Sequence, residues 1–301
     1  MTPALDQTHR TIGIQAPGYR LPAATRLGPV DLQVADLNRS MKYYTEVLGF
    51  RVLSQDSGTA ALGASRGAGP IVVLHERPGA HPVPRRGRLG LFHVAYLLPS
   101  RTDLAHFVRH LAEIGERAGM SDHLVSEAIY LTDPDGLGIE VYADRARDAW
   151  RHDGREIAMA TLALNISDLM QSAGEARWNG MPDGTRVGHV HLHVAELNQA
   201  AALYHGALGL DKVVWSYPGA LFLSAGGYHH HLGLNTWAAG APRAEKDDAR
   251  LLEWTIEVPT AADVEAVARS LESAGFVATR DGDACRVADP WGTVVRIAVA
   301  G

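Results

Sequence analysis

Val30-Asp-Leu-Gln-Val-Ala-Asp-Leu-Asn38 and Val190-His-Leu-His-Val-Ala-Glu-Leu-Asn198 are two versions of one pattern, 160 residues apart. The match continues at Tyr44 and Tyr204, then at Leu48-Gly49 and Leu208-Gly209. The first five residues of each alternate apolar and polar, which predicts a strand with one buried face. Residues 37–48 and 197–208 change to helical spacing and stop at a glycine, the residue that most easily takes the left-handed conformation ending a helix. A second pair obeys the same offset: Leu91-Phe-His-Val-Ala-Tyr-Leu-Leu-Pro99 and Leu251-Leu-Glu-Trp-Thr-Ile-Glu-Val-Pro259. Each predicts a strand ended by proline, then a helix ending near Gly115 or Gly275. Each then reaches a turn, Asp133-Pro-Asp-Gly136 or Asp289-Pro-Trp-Gly292, and a last strand. Proline fixes one turn dihedral and glycine frees the next.

The chain is thus expected to be α+β, with four βαβββ units beginning near residues 28, 90, 188 and 250. Units one and two (27–145) form one half and units three and four (188–301) the other. Residues 146–187 connect them and carry a short helix candidate at Ile166-Ser-Asp-Leu-Met-Gln-Ser-Ala. Residues 1–26 are expected to be an arm.

Composition narrows the class. The chain has 301 residues, 46% of them hydrophobic, and a net charge of -6. The charge argues against nucleic acid or an anionic membrane as partner. No apolar run approaches the roughly 20 residues a bilayer requires, and the first residues lack an apolar signal core. A single cysteine, Cys285, forbids an intrachain disulfide and fits a reducing cytoplasm. Histidine is abundant, at 15 residues, and three of them are consecutive in Gly227-Tyr-His-His-His-Leu-Gly-Leu-Asn-Thr-Trp237. An internal run is not a purification tag.

The repeat turns these histidines into a pattern. On the first strand of each unit one column reads Pro29, His93, His189, Glu253. Four residues after the turn glycine a second column reads Val73, Glu140, His231, Arg296. Units two and three carry metal-ligand types in both columns; units one and four do not. Units two and three are therefore expected to share one metal site made of His93, Glu140, His189 and His231. Units one and four would pair as a structural counterpart. The same pairing could form within one chain or in a swapped homodimer. Imidazole and carboxylate without thiolate suit Fe(II), Mn(II), Ni(II) or Zn(II). A single such histidine would more often be satisfied by a local hydrogen bond. His191 and His193 lie on the same strand face as His189 and could replace or support it.

These residues reach a known family. Leu91–Pro99, Ser121-Asp-His-Leu-Val-Ser-Glu-Ala-Ile-Tyr-Leu-Thr-Asp-Pro-Asp-Gly136 with Gly138-Ile-Glu-Val-Tyr142, Gly188-His-Val-His-Leu-His-Val194 and Ser224-Ala-Gly-Gly-Tyr-His-His-His-Leu-Gly-Leu-Asn235 carry the resemblance. The chain resembles the vicinal oxygen chelate (glyoxalase/bleomycin resistance/extradiol dioxygenase) superfamily from about residue 28 onward. Its closest likeness there is to CatE-type bacterial catechol-2,3-dioxygenases. The resemblance implies two half-barrel domains of paired βαβββ units. It implies Fe(II) on His93, His189 and Glu140, and an aromatic diol and O2 as reactants. It implies supporting roles for His123 and Tyr130, and an acid–base role for a histidine that ungapped comparison places at His230. The repeat column selects His231 instead, and both stay open at this stage. Two-domain extradiol enzymes usually carry the site wholly in the C-terminal half. Here Glu253 and Arg296 stand at its ligand positions, so the site is expected across units two and three. Two other readings differ in class. A glyoxalase-like isomerase or lyase would use all four ligands on Ni(II) or Zn(II). A metal-free sequestering protein would bury this many ionisable groups at a cost.

Overall fold

The computed structural model describes residues 12–64 and 69–301. Each unit folds as its pattern predicts, because the signals are local. Asp36 and Glu196 cap the first helices of units one and three by accepting from backbone N–H groups of the first turn. Those helices, Leu37–Lys42 and Leu197–Ala201, then widen into π-helical turns, Tyr43–Val47 and Ala202–Ala207. Gly49 and Gly209 follow with φ of 81° and 96°. Ser100 and Thr260 cap the longer helices Arg101–Ile114 and Ala261–Ser273. In both Asp-Pro-x-Gly turns the aspartate side chain accepts from two backbone N–H groups, those of Asp135 and Leu137 or of Trp291 and Thr293.

Within each unit the first and last strands are parallel neighbours. Val30 lies opposite Val72, Val94 opposite Ile139, Val190 opposite Leu232 and Trp254 opposite Val295. Between units the first strands pair antiparallel. Arg26–Val34 meets Arg250–Val258, and Gly90–Leu97 meets Arg186–His193. One eight-stranded sheet thus joins units one and four. A nine-stranded sheet joins units two and three and ends on Leu162–Ala163 from the connector. Both pairings occur within one chain, so no exchanged copy is needed to complete either sheet. The segments 27–145 and 188–301 each give one unit to each sheet, so the sheets cross the division read from the order of the sequence.

Period-two alternation then decides which side chains face the core. Val94 and Tyr96, with Val190 and Leu192, enter an apolar cluster that also takes Val30, Leu32, Trp254 and Ile256 of the other sheet. The opposite face of the nine-stranded sheet carries His93, Ala95, Glu140, Tyr142, His189 and His191.

The connector is held to unit two. Arg101 binds Glu127 at 2.5 Å and Asp168 at 2.6 Å, the latter on the connector helix Ile166–Gln171. The arm expected over 1–26 falls outside the described residues at 1–11. Beyond them Ile14 exchanges backbone hydrogen bonds with Lys212 of unit three. Among the described residues no helix is long and apolar enough to cross a membrane.

Candidate metal centre and active site

Three buried side chains converge where units two and three meet. His93 Nε2 and His189 Nε2 stand 3.0 and 3.1 Å from Glu140 Oε2 and 3.3 Å from each other. The three residues expose 4%, 2% and 2% of their surface. They come from the two central first strands and the last strand of unit two, so sheet register sets their spacing. His189 lies opposite Ala95, and Ala95 in turn lies beside Glu140. A small residue between the ligand strands leaves room for the imidazoles.

This triad fits a divalent metal. Ligand atoms about 2.1 Å from an ion are about 3.0 Å apart at right angles and about 3.4 Å apart in a tetrahedron. The observed 3.0–3.3 Å spacings span that interval. Among the described residues this is the one His/Cys/Asp/Glu group whose ligand atoms converge closely enough to hold an ion. The set is imidazole, imidazole and carboxylate, with coordination positions left open on one side, as in non-haem iron oxygenases. Burial alone would raise the Glu140 carboxyl, but His189 and His93 beside it outweigh burial and hold it well below the usual range. Burial pushes His189 down to about 4, against the pull of Glu140. Glu140 and His189 are therefore in the deprotonated state that metal binding requires. The two Nδ1 atoms face no acceptor.

The expected fourth ligand, His231, is not brought to this centre. Its Nδ1 instead accepts from the backbone N–H of Ala225 at 3.2 Å, and its ring packs against Tyr228, with centroids 5.0 Å apart. The reason is the length of the turn. Gly136 precedes Ile139 by three residues, whereas Gly227 precedes Leu232 by five, and Ile139 and Leu232 occupy equivalent ladder positions. Counting from the turn glycine therefore slips by two. In ladder register the second column reads Val73, Glu140, Gly233, Arg296. The repeat offset of 160, applied to Val73, would have selected Gly233 from the sequence itself. A Cβ at Gly233 would lie 2.8 Å from Cγ of His191, so that ring occupies the space a fourth ligand would need. His191 is itself satisfied by Asn235 Nδ2 at 3.0 Å, and His193 contacts the same amide at 2.7 Å. Neither joins the triad.

His230 does reach the centre. Its ring centroid lies 4.0 Å from that of His189. Burial, then the neighbouring His189 and His229, hold its pKa well below the ordinary histidine value, so it is neutral. Residues 228–231 form the turn before the last strand, so strand alternation does not govern them.

The triad opens into a cavity of about 330 Å³. Phe92, Phe222, Trp237 and Met159 supply apolar walls, while His123, Tyr130 and His230 reach in with polar atoms. His123 and Tyr130 are joined, Nε2 to hydroxyl, at 2.7 Å. His123 Nδ1 lies 2.7 Å from the Ala160 carbonyl, which can only accept. Nδ1 therefore carries a hydrogen, which leaves Nε2 to accept from the Tyr130 hydroxyl. Burial, then the nearby Glu140 charge, raises the Tyr130 phenol well above its usual pKa and keeps it protonated. Met159, Ala160 and Thr161 bring the connector into the wall, which no spacing in the sequence signalled. Trp254 lies in the core, and the Cys285 thiol is fully buried, its pKa raised by that burial.

The corresponding face of the other sheet has no such centre among the described residues. Glu253 is engaged by the Arg286 guanidinium, and Arg296 stands at the carboxylate position.

Comparison with known proteins agrees with this architecture. Residues 26–141 match the glyoxalase/bleomycin resistance protein/dioxygenase superfamily. The chain is 42% identical over 270 residues to catechol-2,3-dioxygenase of Bacillus subtilis, covering 88% of this chain and 94% of that one. It therefore belongs to the glyoxalase/bleomycin resistance protein/dioxygenase superfamily. Among solved structures, one from Bacillus subtilis superposes with a TM-score of 0.64 at 17% identity, covering 94% of this chain and 86% of that one. Glyoxalase I from Zea mays superposes at 0.55 with 19% identity and 92% coverage of each. These two share the fold.

Proposed function

We propose that this protein is an Fe(II)-dependent extradiol dioxygenase that opens a catechol-type aromatic diol with O2. The observation that carries the reading is a two-histidine, one-carboxylate centre with glycine at the fourth ligand position. Open coordination positions are what a chelating diol and O2 need together. Gly233 counts against the four-ligand, glyoxalase-like alternative. The 42% identical relative is a catechol-2,3-dioxygenase, which supports the same substrate class.

His93, Glu140 and His189 would hold the iron. Bound Fe(II) would supply Lewis acidity that lowers the pKa of the diol and the electron exchange that activates O2. The residues around it bind, orient and move protons. His230, neutral and against His189, accepts a proton from a diol hydroxyl and later returns it. Tyr130 donates to His123 and turns its oxygen lone pairs toward the cavity, where a substrate hydroxyl can donate to them. Phe92, Phe222 and Trp237 hold the ring and exclude water. Both atoms of O2 enter the product, a ring-opened semialdehyde, so no external reductant is needed.

The test is dioxygen uptake by anaerobically purified, Fe(II)-loaded protein on adding catechol, with visible absorbance followed in parallel. Uptake matched by a yellow product supports the reading. No uptake across a panel of catechols and hydroquinones, with iron bound, refutes it.

A further inference from the structure

His231, the third residue of the histidine run, lines a second cavity, of about 170 Å³, between the histidine turn and the start of strand Arg186–His193. No residue lining it also lines the metal cavity. Its walls hold three arginines and no carboxylate, in a chain whose net charge is -6. Arg26 is neutralised by Glu257 at 2.6 Å. Arg147 and Arg186 are exposed and have no hydrogen-bonded or ion-paired partner among the described residues. Arg145, two residues before Arg147, shows the contrast: it binds Asp122 at 2.7 Å and Glu127 at 3.1 Å. Arg147 lies instead over the rings of Trp150 and Tyr228, 5.4 and 6.0 Å from their centroids. Such stacking holds a guanidinium in place and leaves its N–H groups free to donate.

Two buried donors border the same space. His231 is 8% exposed, and burial, then the neighbouring His229 and His189 and the charges of Arg147 and Arg186, hold its pKa down to about 3. The ring is therefore neutral. Its Nδ1 accepts from the Ala225 N–H, so its hydrogen is on Nε2, which has no partner among the described residues. Thr25 is 5% exposed, and its hydroxyl is also without a partner. A buried donor left unmade costs free energy, and a bound acceptor removes that cost. The Tyr228 hydroxyl is already engaged, by Asp144 at 3.2 Å and Tyr142 at 2.7 Å. Asp144 stands 2.8 Å from His229 and does not line the cavity.

We propose that this cavity is an anion site, filled by a phosphate group between Arg147 and Arg186, with His231 Nε2–H and the Thr25 hydroxyl as further donors. Two unpaired guanidiniums match a dianion, which favours phosphate over a single carboxylate, and their forked N–H groups suit its oxygens. The third histidine of the run then has a use that the metal centre does not give it. The phosphate can be the free ion or the headgroup of a small ester, since both present the same oxygens.

The test is calorimetric titration of the anaerobic, Fe(II)-loaded full chain with inorganic phosphate, glycerol 3-phosphate and acetate at constant ionic strength. Phosphate should bind saturably with Kd of about 1 mM or below. Phosphate at about ten times Kd should raise Tm by about 3–6 °C. Arg147→Gln and Arg186→Gln should each weaken binding roughly 10-fold, and His231→Ala roughly 2–10-fold. Phosphate on the open metal positions would bind the double variant Arg147→Gln/Arg186→Gln as tightly as wild type, so that variant separates the two sites. Both arginines are exposed, and their variants keep the test open if His231→Ala fails to fold. Tighter binding of the ester supports a headgroup site, and tighter binding of inorganic phosphate a site for the free ion. No saturable phosphate binding overturns the proposal, as does wild-type affinity in the double variant or acetate bound as tightly as phosphate.

Discussion

Gly138→Ala should loosen the metal centre without touching a ligand. Gly138 begins the last strand of unit two, two residues before Glu140. A Cβ there would lie 2.0 Å from the carbonyl oxygen of Phe92 and 3.1 Å from Cβ of His93. Ordinary contact begins at 3.4 Å, so the first gap is about 1.4 Å too short. The obstacle is backbone in a parallel strand pair, and no rotamer change relieves it. The two strands must part, and they carry His93 and Glu140, whose ligand atoms are 3.0 Å apart. Metal sites hold their ligand distances to within about 0.2 Å. Even a small share of that separation, carried two residues along the strand, exceeds the tolerance. We expect Zn(II) affinity, measured by chelator competition, to fall roughly 10–100-fold. Overpacking should also cost about 1–3 kcal/mol, lowering Tm by about 2–4 °C per kcal/mol. Gly115→Ala is the control. Gly115 has φ of 75° with open space around its Cβ position, at the end of helix Arg101–Ile114. Alanine there should cost about 1–2 kcal/mol through the left-handed backbone alone and leave metal affinity intact. Wild-type affinity in Gly138→Ala, with the same Tm loss, would refute the reasoning.

His93→Ala and Glu140→Ala should each lose the metal on dialysis, whereas Arg296→Ala and His231→Ala should retain it. Iron lost from Arg296→Ala but kept by His93→Ala would sink the assignment. His231 gives a pH test. Burial and the neighbouring His229 push its pKa from 6.5 down to about 3 in the fold. The unfolded chain gains a proton near pH 6.5 while the folded chain stays unprotonated to about pH 3, so this share of stability is complete above 6.5 and declines as pH falls. The Tm advantage of wild type over His231→Gln should therefore shrink between pH 7 and pH 5. Parallel Tm curves would contradict the burial argument.

What the sequence determined by itself was the unit and most of the centre. Strand alternation, capping residues, the Asp-Pro-x-Gly turns and Gly49 or Gly209 act over a few residues, so βαβββ could be read four times. Ligand types at His93, Glu140 and His189 marked units two and three as partners, because equivalent strand positions hold equivalent places in a sheet. Tertiary structure decided the rest. The offset of 160 from Val73 points to Gly233 and the count from the turn glycine to His231; the ladder register decides for Gly233, since a turn two residues longer breaks the count. Only the turn's backbone sets which of His230 and His231 packs against the triad, because period-two alternation fails outside a strand. The approach of Asp144 to His229 joins two units, and the connector residue Met159 reaches the wall across distances no periodicity encodes. Hydrogen-bond direction and pKa depend on burial and on partners far apart in the chain, and these exist only once the sheets have closed.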